Sequence, residues 1–588
     1  MKFASTMRKA TALAVSAAAM FAVAGCGNSN SANGGTDTTT TVTAEPQEGV
    51  PVNYEGSFPK PETDKAYNNP KDRDELQQGG TLTLGTVEIG PDWNALSANG
   101  NTTYMDGMWR LYMPRIWEYS VDGSTIEPNQ NYVTSVEQTS DSPETIVFNI
   151  NEKAAWNDGT PMTWKDFEST WKAMNGTDEN FTPAITAGYE DIESVTAGDS
   201  DKQVVVTFKK DFYPYESLFN TLYPSKAFEG GADVFAQGWQ NDPHSDDWGA
   251  GPFKVESSSD SEVTFVPNEK WWGDAPLLDK IVIKQMEDSA ALNAFKNGET
   301  DASGASSAES MTNAKSREDA YFRRGYDSGV STLTINTKSV SDLALRKAFV
   351  QAIDRSQLQK IDFQGTDWEE DVPGSLILPQ FQDGYEDNMP KDSAYSTDNA
   401  KKTLEDAGYT LNGDYYEKDG ETASITYTTF GDSATSKAIT GAIQKMAKAA
   451  GIKVDSDVKA SADFSKTVYS GDWDMIGLGW GASDPFGYSS SSYQLYGSTS
   501  DSNFSFTGTD EIDELLKGVT SIKDSKEAIA QFNEAEKKAQ ELYAQIPWAN
   551  GQITIAVKKG LANYGPAGYS AGSRLYFTAH PENVGWEK

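Results

Sequence analysis

STLTINTKSVSDLALRKAFVQAIDR, residues 331–355, sets two folding periods side by side. Ser331–Asn336 alternates polar and apolar side chains, which places Leu333 and Ile335 on one face of a strand. From Asp342 to Arg355 the period lengthens. Leu345, Ala348, Phe349, Ala352 and Ile353 recur on one helical face, and Ser341 is the expected N-cap. A strand that runs into an amphipathic helix is a building unit of α/β proteins.

The same alternation extends in both directions from this block. Further strands are expected at Thr145–Ile150, Gln203–Phe208, Glu262–Val266, Lys280–Lys284, Ser424–Thr429, Asp474–Leu478 and Ile553–Val557, with a strand opening the body at residues 79–85. Helices are expected at Asp398–Ala407, which ends at Gly408, and at Ala434–Ala450, stopped by Gly451. Another is expected at Ser525–Ile546, where Ile529, Phe532, Leu542 and Ile546 share a face before Pro547. The chain has 588 residues, more than one hydrophobic core can serve, so at least two lobes are expected.

The N-terminus reads differently. Lys2, Arg8 and Lys9 precede an apolar run from Ala10 to Ala24, the layout of a secretory signal. The run is shorter than the roughly 20 residues that span a bilayer. It ends at Val23-Ala24-Gly25-Cys26, small residues before a cysteine that resemble a bacterial lipobox, and Cys26 is the chain's only cysteine. Residues 1–25 are therefore expected to be removed and Cys26 to carry lipid. Residues 26–78, rich in Gly, Ser, Thr, Asn and Pro, are expected to be a disordered tether. Loss of residues 1–25 removes three positive charges and moves the formal charge from -38 to -41. Such a surface repels phosphates and anionic headgroups, so no nucleic acid partner is expected and membrane contact is expected through the lipid alone.

Residues suited to catalysis are scarce. The histidines are His244 and His580. Gly568-Tyr569-Ser570-Ala571-Gly572 fits a nucleophile elbow, but Arg574-Leu575-Tyr576-Phe577 follows as a strand pattern and no acid lies between Ser570 and His580. A glycine-rich surface turn is the expectation. Gly477-Leu478-Gly479-Trp480-Gly481-Ala482 fits a dinucleotide fingerprint, but Asp484-Pro485 stands where a helix must begin. The acidic run around His244 has no second histidine nearby to complete a metal site. No enzyme activity, metal or cofactor is expected.

Several blocks resemble the family 5 extracytoplasmic solute-binding proteins, the peptide-binding components of ABC importers. Residues 146–150 leading into Ala155-Trp156-Asn157-Asp158-Gly159-Thr160-Pro161 are similar to the family's strand and DGTP turn, followed by a helix opening at Thr163. Gly249-Ala250-Gly251-Pro252-Phe253, Asn268-Glu269-Lys270-Trp271-Trp272 and Asn297-Gly298-Glu299-Thr300-Asp301 resemble later family blocks. The strongest match is Asn336-Thr337 followed by Leu345-Arg346-Lys347-Ala348-Phe349 and Ala352-Ile353-Asp354-Arg355. The ordered set covers about residues 79–560.

The resemblance implies an α/β, two-lobed, periplasmic-binding-protein-like fold of the large peptide-binding type, with an extra N-terminal subdomain and a hinge. Transferred here, lobe I spans 79–330, lobe II spans 331–546, and residues 547–588 return to lobe I. Family members hold a peptide as an added β-strand and its ammonium on an aspartate. By match to the block at residues 474–480, Gly479, Trp480 and Gly481 would meet the ligand's backbone. Asp484 would anchor the ammonium, although the family's acid position falls on Ser483 here. An Asx turn before Pro485 is the other reading of Asp484. Trp480 could alternatively stack on a sugar, so an oligosaccharide is the second ligand class. The implied partners are an ABC permease and its ATPase subunits. The implied setting is a lipid-anchored monomer on the outer face of the bacterial cytoplasmic membrane.

Overall fold

The computed structural model describes residues 46–588 apart from 98, 432, 461, 462, 483, 501 and 573. The expected signal segment and Cys26 lie outside the described residues. The strand of the opening block forms as Gly329–Ile335 within a five-stranded sheet. The order across that sheet is Lys453–Lys459, Ser424–Phe430, Met475–Gly481, Gly329–Ile335 and Gln545–Ala549. Successive strand residues point to opposite faces, and both faces are covered. Leu333, Ile335 and Met475 pack on one side with Phe349, Ile443 and Met446, whereas Ile476, Leu478 and Trp480 pack on the other with Leu495, Phe504 and Phe532.

Three four-stranded sheets form the rest of the framework. One joins Thr81–Thr86, Lys280–Gln285, Glu262–Pro267 and Phe253–Ser258; another joins Val133–Asp141, Glu144–Ile150, Gln203–Phe208 and Ile192–Ala197. The third joins Val50–Pro51, Ala320–Tyr326, Gln552–Lys558 and Ala302–Gly304. A single apolar cluster runs from Leu82 and Ile281 through Phe265 and Phe148 to Ile555 and Phe577, so both ends of the chain build one core.

The chain passes between the two halves twice. Residues 327–328 link Ala320–Tyr326 to Gly329–Ile335, and residues 550–551 link Gln545–Ala549 to Gln552–Lys558. The passages touch, with the Asp327 N–H 3.4 Å from the Gly551 carbonyl oxygen. The Asp327 carboxylate accepts the Gly329 N–H, and Glu370 accepts those of Asn550 and Gly551. The crossings therefore fall a few residues from the expected boundaries at 330/331 and 546/547. Gln545–Ala549 is hydrogen-bonded to Gly329–Ile335 through a bulge, which keeps Pro547 and Trp548 in lobe II's sheet.

Other expectations change in detail. Residues 46–78 are packed rather than a tether: Val50 and Pro51 pair with Phe322 and Tyr321, and Val52 and Tyr67 are buried. Few apolar residues occur there, but Val50, Val52, Tyr54 and Phe58 join a cluster with Phe295, Met311 and Phe322, and Leu76 packs with Leu277. The helix expected at Asp342–Arg355 is Leu343–Ala352, capped by Asp342 rather than Ser341. A second helix, Arg355–Asp362, begins where Asp354 caps the N–H groups of Ser356 and Gln357. The helix expected to reach Ile546 is Ser525–Gln540; Tyr543 takes a positive φ of 51° and the chain turns into the strand at Gln545. Gly568–Ala571 is a short helical turn with Tyr569 and Ala571 buried, not a surface loop, and Arg574–Phe577 forms no strand.

Candidate functional site

Ile335 donates its N–H to the Ala544 carbonyl, 2.8 Å away, so odd-numbered residues of Gly329–Ile335 direct their backbone groups toward the Gln545–Ala549 side. Their antiparallel partners on Met475–Gly481 must then point the other way. Those partners are Met475, Gly477, Gly479 and Gly481. On that far side, Ser424–Phe430 pairs only at Tyr427–Met475 and Thr428–Ile476. Beyond Ile476, no strand among the described residues pairs with this edge. Gly477, Gly479 and Gly481 thus present N–H and C=O groups, and no side chains, to an open edge.

Trp480 does not share that role. Its backbone groups face Val330, and its ring is 9% exposed in the lobe II core, 6.0 Å from Phe504. Of the three residues expected to meet a ligand's backbone, the glycines face the edge and Trp480 faces inward.

The loop that follows the strand carries Asp484. Its Oδ1 accepts the Phe486 N–H at 2.8 Å, the Asx turn weighed above. No other hydrogen bond to the carboxylate is made among the described residues. Part of the residue's surface remains open, but protein crowds the carboxyl group and burial pushes its pKa up to about 6. Among the described residues no lysine, arginine or histidine pairs with it.

The opposite half closes over this loop. Tyr119 stands edge-on to Phe486 with ring centroids 6.5 Å apart, and its hydroxyl donates to the Glu216 carbonyl at 3.0 Å. Gly123, at φ 74°, lies so near Pro485 that a Cβ there would come within 2.6 Å of the proline Cβ. Tyr569 Oη donates to Gln382 Oε1 at 2.8 Å, and Gln382 Nε2 donates to the Pro485 carbonyl at 2.8 Å. Farther along, the Tyr213 N–H meets the Thr520 carbonyl at 2.9 Å and Lys523 pairs with Asp141. The described conformation is closed.

Sequence reading missed Glu216. It lies in the short 3-10 turn Tyr215–Ser217, outside every recognised block, and burial raises its carboxyl to about 7. The cations nearest this side are already engaged. Arg110 and Arg115 both bind Asp106. His580 lies between Glu118 and Glu582, each 3.0 Å away, and these contacts raise it to about 10. It is a protonated strut rather than a base for Ser570. His244 stacks on Trp248 at 3.6 Å and contacts the Gly238 carbonyl, so it too is held by structure. The site can accept hydrogen bonds along an extended main chain and oppose a positive charge.

Comparison with known proteins places these features in a group. A model described as bacterial extracellular solute-binding proteins, family 5 Middle, matches residues 127–503. The oligopeptide-binding protein OppA of Mycobacterium tuberculosis is 31% identical over 508 residues, 85% of each chain. LpqW of the same species, named as a probable monoacyl phosphatidylinositol tetramannoside-binding protein, is 26% identical over 56% of this chain and 52% of its own. Among solved structures, the periplasmic EDTA-binding protein EppA superposes with a TM-score of 0.79 at 25% identity, covering 89% of this chain and 98% of EppA. The Bacillus subtilis oligopeptide-binding protein AppA, solved with a nonapeptide, gives 0.72 at 18% identity, covering 87% and 100%. The chain belongs to the family 5 bacterial extracellular solute-binding proteins.

Proposed function

We propose that this protein captures peptides with a free N-terminus between its lobes and passes them to an ABC permease powered by its ATPase subunits. Asp484 carries the reading: an enclosed carboxylate with no cation beside it among the described residues, next to a strand edge bare of side chains. A peptide ammonium supplies the missing charge, and the peptide backbone pairs with Gly477, Gly479 and Gly481 as an added strand. The resemblance to OppA supports the same ligand class. A polyanionic chelate of the kind named for EppA would meet uncompensated carboxylates here. A sugar would lack the platform expected of Trp480, because that ring is packed against Phe504.

Lipid attachment at Cys26 belongs to the same reading and would hold the receptor at the outer face of the cytoplasmic membrane. Cys26→Ser should abolish lipid labelling and release the protein into the soluble fraction. The ligand is tested by titration calorimetry with an alanine pentapeptide, free or N-acetylated. The free peptide should bind at least 30-fold more tightly. Equal binding of the two would remove the ammonium anchor, and binding of an oligomannoside in place of either would move the assignment to carbohydrate.

A further inference from the structure

Asp484 has a counterpart across the cleft. Glu216 belongs to the other half and is joined to Tyr119 through its carbonyl, while Tyr119 meets Phe486, the residue whose N–H binds Asp484. The two residues therefore approach Tyr119 from opposite lobes, and both of their charges act on its hydroxyl. No lysine, arginine or histidine among the described residues pairs with Glu216; its carboxylate meets only its own N–H and the Tyr215 hydroxyl.

Tyr488 supplies an independent observation. It is 5% exposed, and burial and two carboxylate charges act on its hydroxyl with no hydrogen bond among the described residues. The charges of Glu216 and Asp484 both bear on that hydroxyl, and with burial they raise its pKa. A hydroxyl with free hydrogen-bonding capacity, on a ring 6.4 Å from Phe486 and within the field of two carboxylates that no cation among the described residues neutralises, is suited to receive positive charge. One ammonium neutralises one of the acids. The other is left enclosed and unpaired, which is costly.

We propose that Glu216 is a specificity-determining residue that selects a second positive group on the ligand, a lysine or arginine side chain near the peptide's N-terminus. This rests on the peptide reading. With Asp484 holding the N-terminal ammonium, Glu216 and the Tyr488 hydroxyl hold the basic side chain across the cleft. A free diamine shares this chemistry but lacks the backbone to pair with the glycine edge.

The test uses the full chain and alanine pentapeptides with one lysine, or its uncharged isostere norleucine, at position 1, 2 or 3. Calorimetry on the wild type should give at least a tenfold preference for lysine at one of these positions. Glu216→Gln should bring that ratio to near one without lowering the melting temperature, because it removes a buried charge and keeps the side chain's shape. Asp484→Asn should weaken both peptides and retain the ratio. Peptides that bind with no lysine preference at any position would overturn the role of Glu216 and leave the peptide reading standing. A preference that survives Glu216→Gln would also overturn it. If no alanine peptide binds, both readings fall; a 1,5-diaminopentane titration that responds to both acid variants would then assign the paired charges to free diamines.

Discussion

Asp106 and Asp484 are both carboxylates withdrawn from water, and they have opposite surroundings. At Asp106, burial alone would raise the pKa, but the charges and hydrogen bonds of Arg110 and Arg115 outweigh it and hold the group below its ordinary value. At Asp484, burial has nothing to oppose it but one backbone N–H, and the group rises to about 6. The first acid is satisfied within the chain, by Arg110 on its own helix Thr103–Tyr112 and by Arg115 just beyond it, and Arg110 donates onward to the Phe577 carbonyl. The second has one backbone N–H and, among the described residues, no cation beside it. Buried charge that is paired internally is architecture; buried charge left open is, on the function proposed above, an address.

The largest effect expected is on the satisfied acid. Asp106→Ala leaves two enclosed arginines without their partner and should cost about 3–5 kcal/mol, read from urea unfolding. A loss below 1 kcal/mol would mean that Asp106 is no better matched than Asp484. For Asp484→Asn the contrast should appear in binding rather than stability. Removing one partner of an enclosed charge pair costs about 2–5 kcal/mol, so calorimetry should record at least a ~30-fold loss for a free-amine peptide. Melting of the empty protein should hold steady or rise, since the unpaired charge is gone.

pH sharpens the comparison because the signs differ. Asp106, with a lowered pKa, adds stability above the unfolded carboxylate value, and this is lost as pH falls through its folded value. Asp484, with a raised pKa, does the reverse, and the empty protein gains stability as pH falls through about 6. Ligand binding needs the ionised form. Affinity for an alanine peptide, which has no second cation for Glu216, should therefore weaken between pH 7.5 and 5, by at most about tenfold per unit. The acetylated peptide should show no such trend. The smallest effect concerns Trp480. With its ring against Phe504, Trp480→Phe should cost about 1 kcal/mol of stability and change peptide affinity less than about twofold. A large loss of affinity would return the ring to the site.

Much of the scaffold was legible because strand and helix periods are local properties. Gln203–Phe208 forms as expected, and Ala434–Ala449 starts at the expected residue and ends one short. The misplaced ends have local causes of another kind, such as Asp354 serving as a cap within what reads as one continuous helix. Asp484 stands out in the sequence as the acid in a loop after a distinctive strand, and the Asx turn that the same loop offered is present. Which of residues 479–481 faces the open edge could not, since that depends on where Ser424–Phe430 leaves its neighbour. Glu216 has no motif at all. It is brought toward the Asp484 loop by tertiary contacts through Tyr119, although 270 positions of sequence separate it from Phe486.

The two passages at 327–328 and 550–551 limit how the halves can move. A two-residue link reaches about 7 Å at full extension, so neither half can slide far along the other without pulling a strand from its sheet. Two links in contact also resist swivelling, because a twist that slackens one would stretch the other. What remains soft is bending about the line through both, a single degree of freedom, with Asp327 and Glu370 pinning the backbone on either side. The protein need not search a broad space of lobe arrangements for the one that fits its ligand. It has one coordinate to travel.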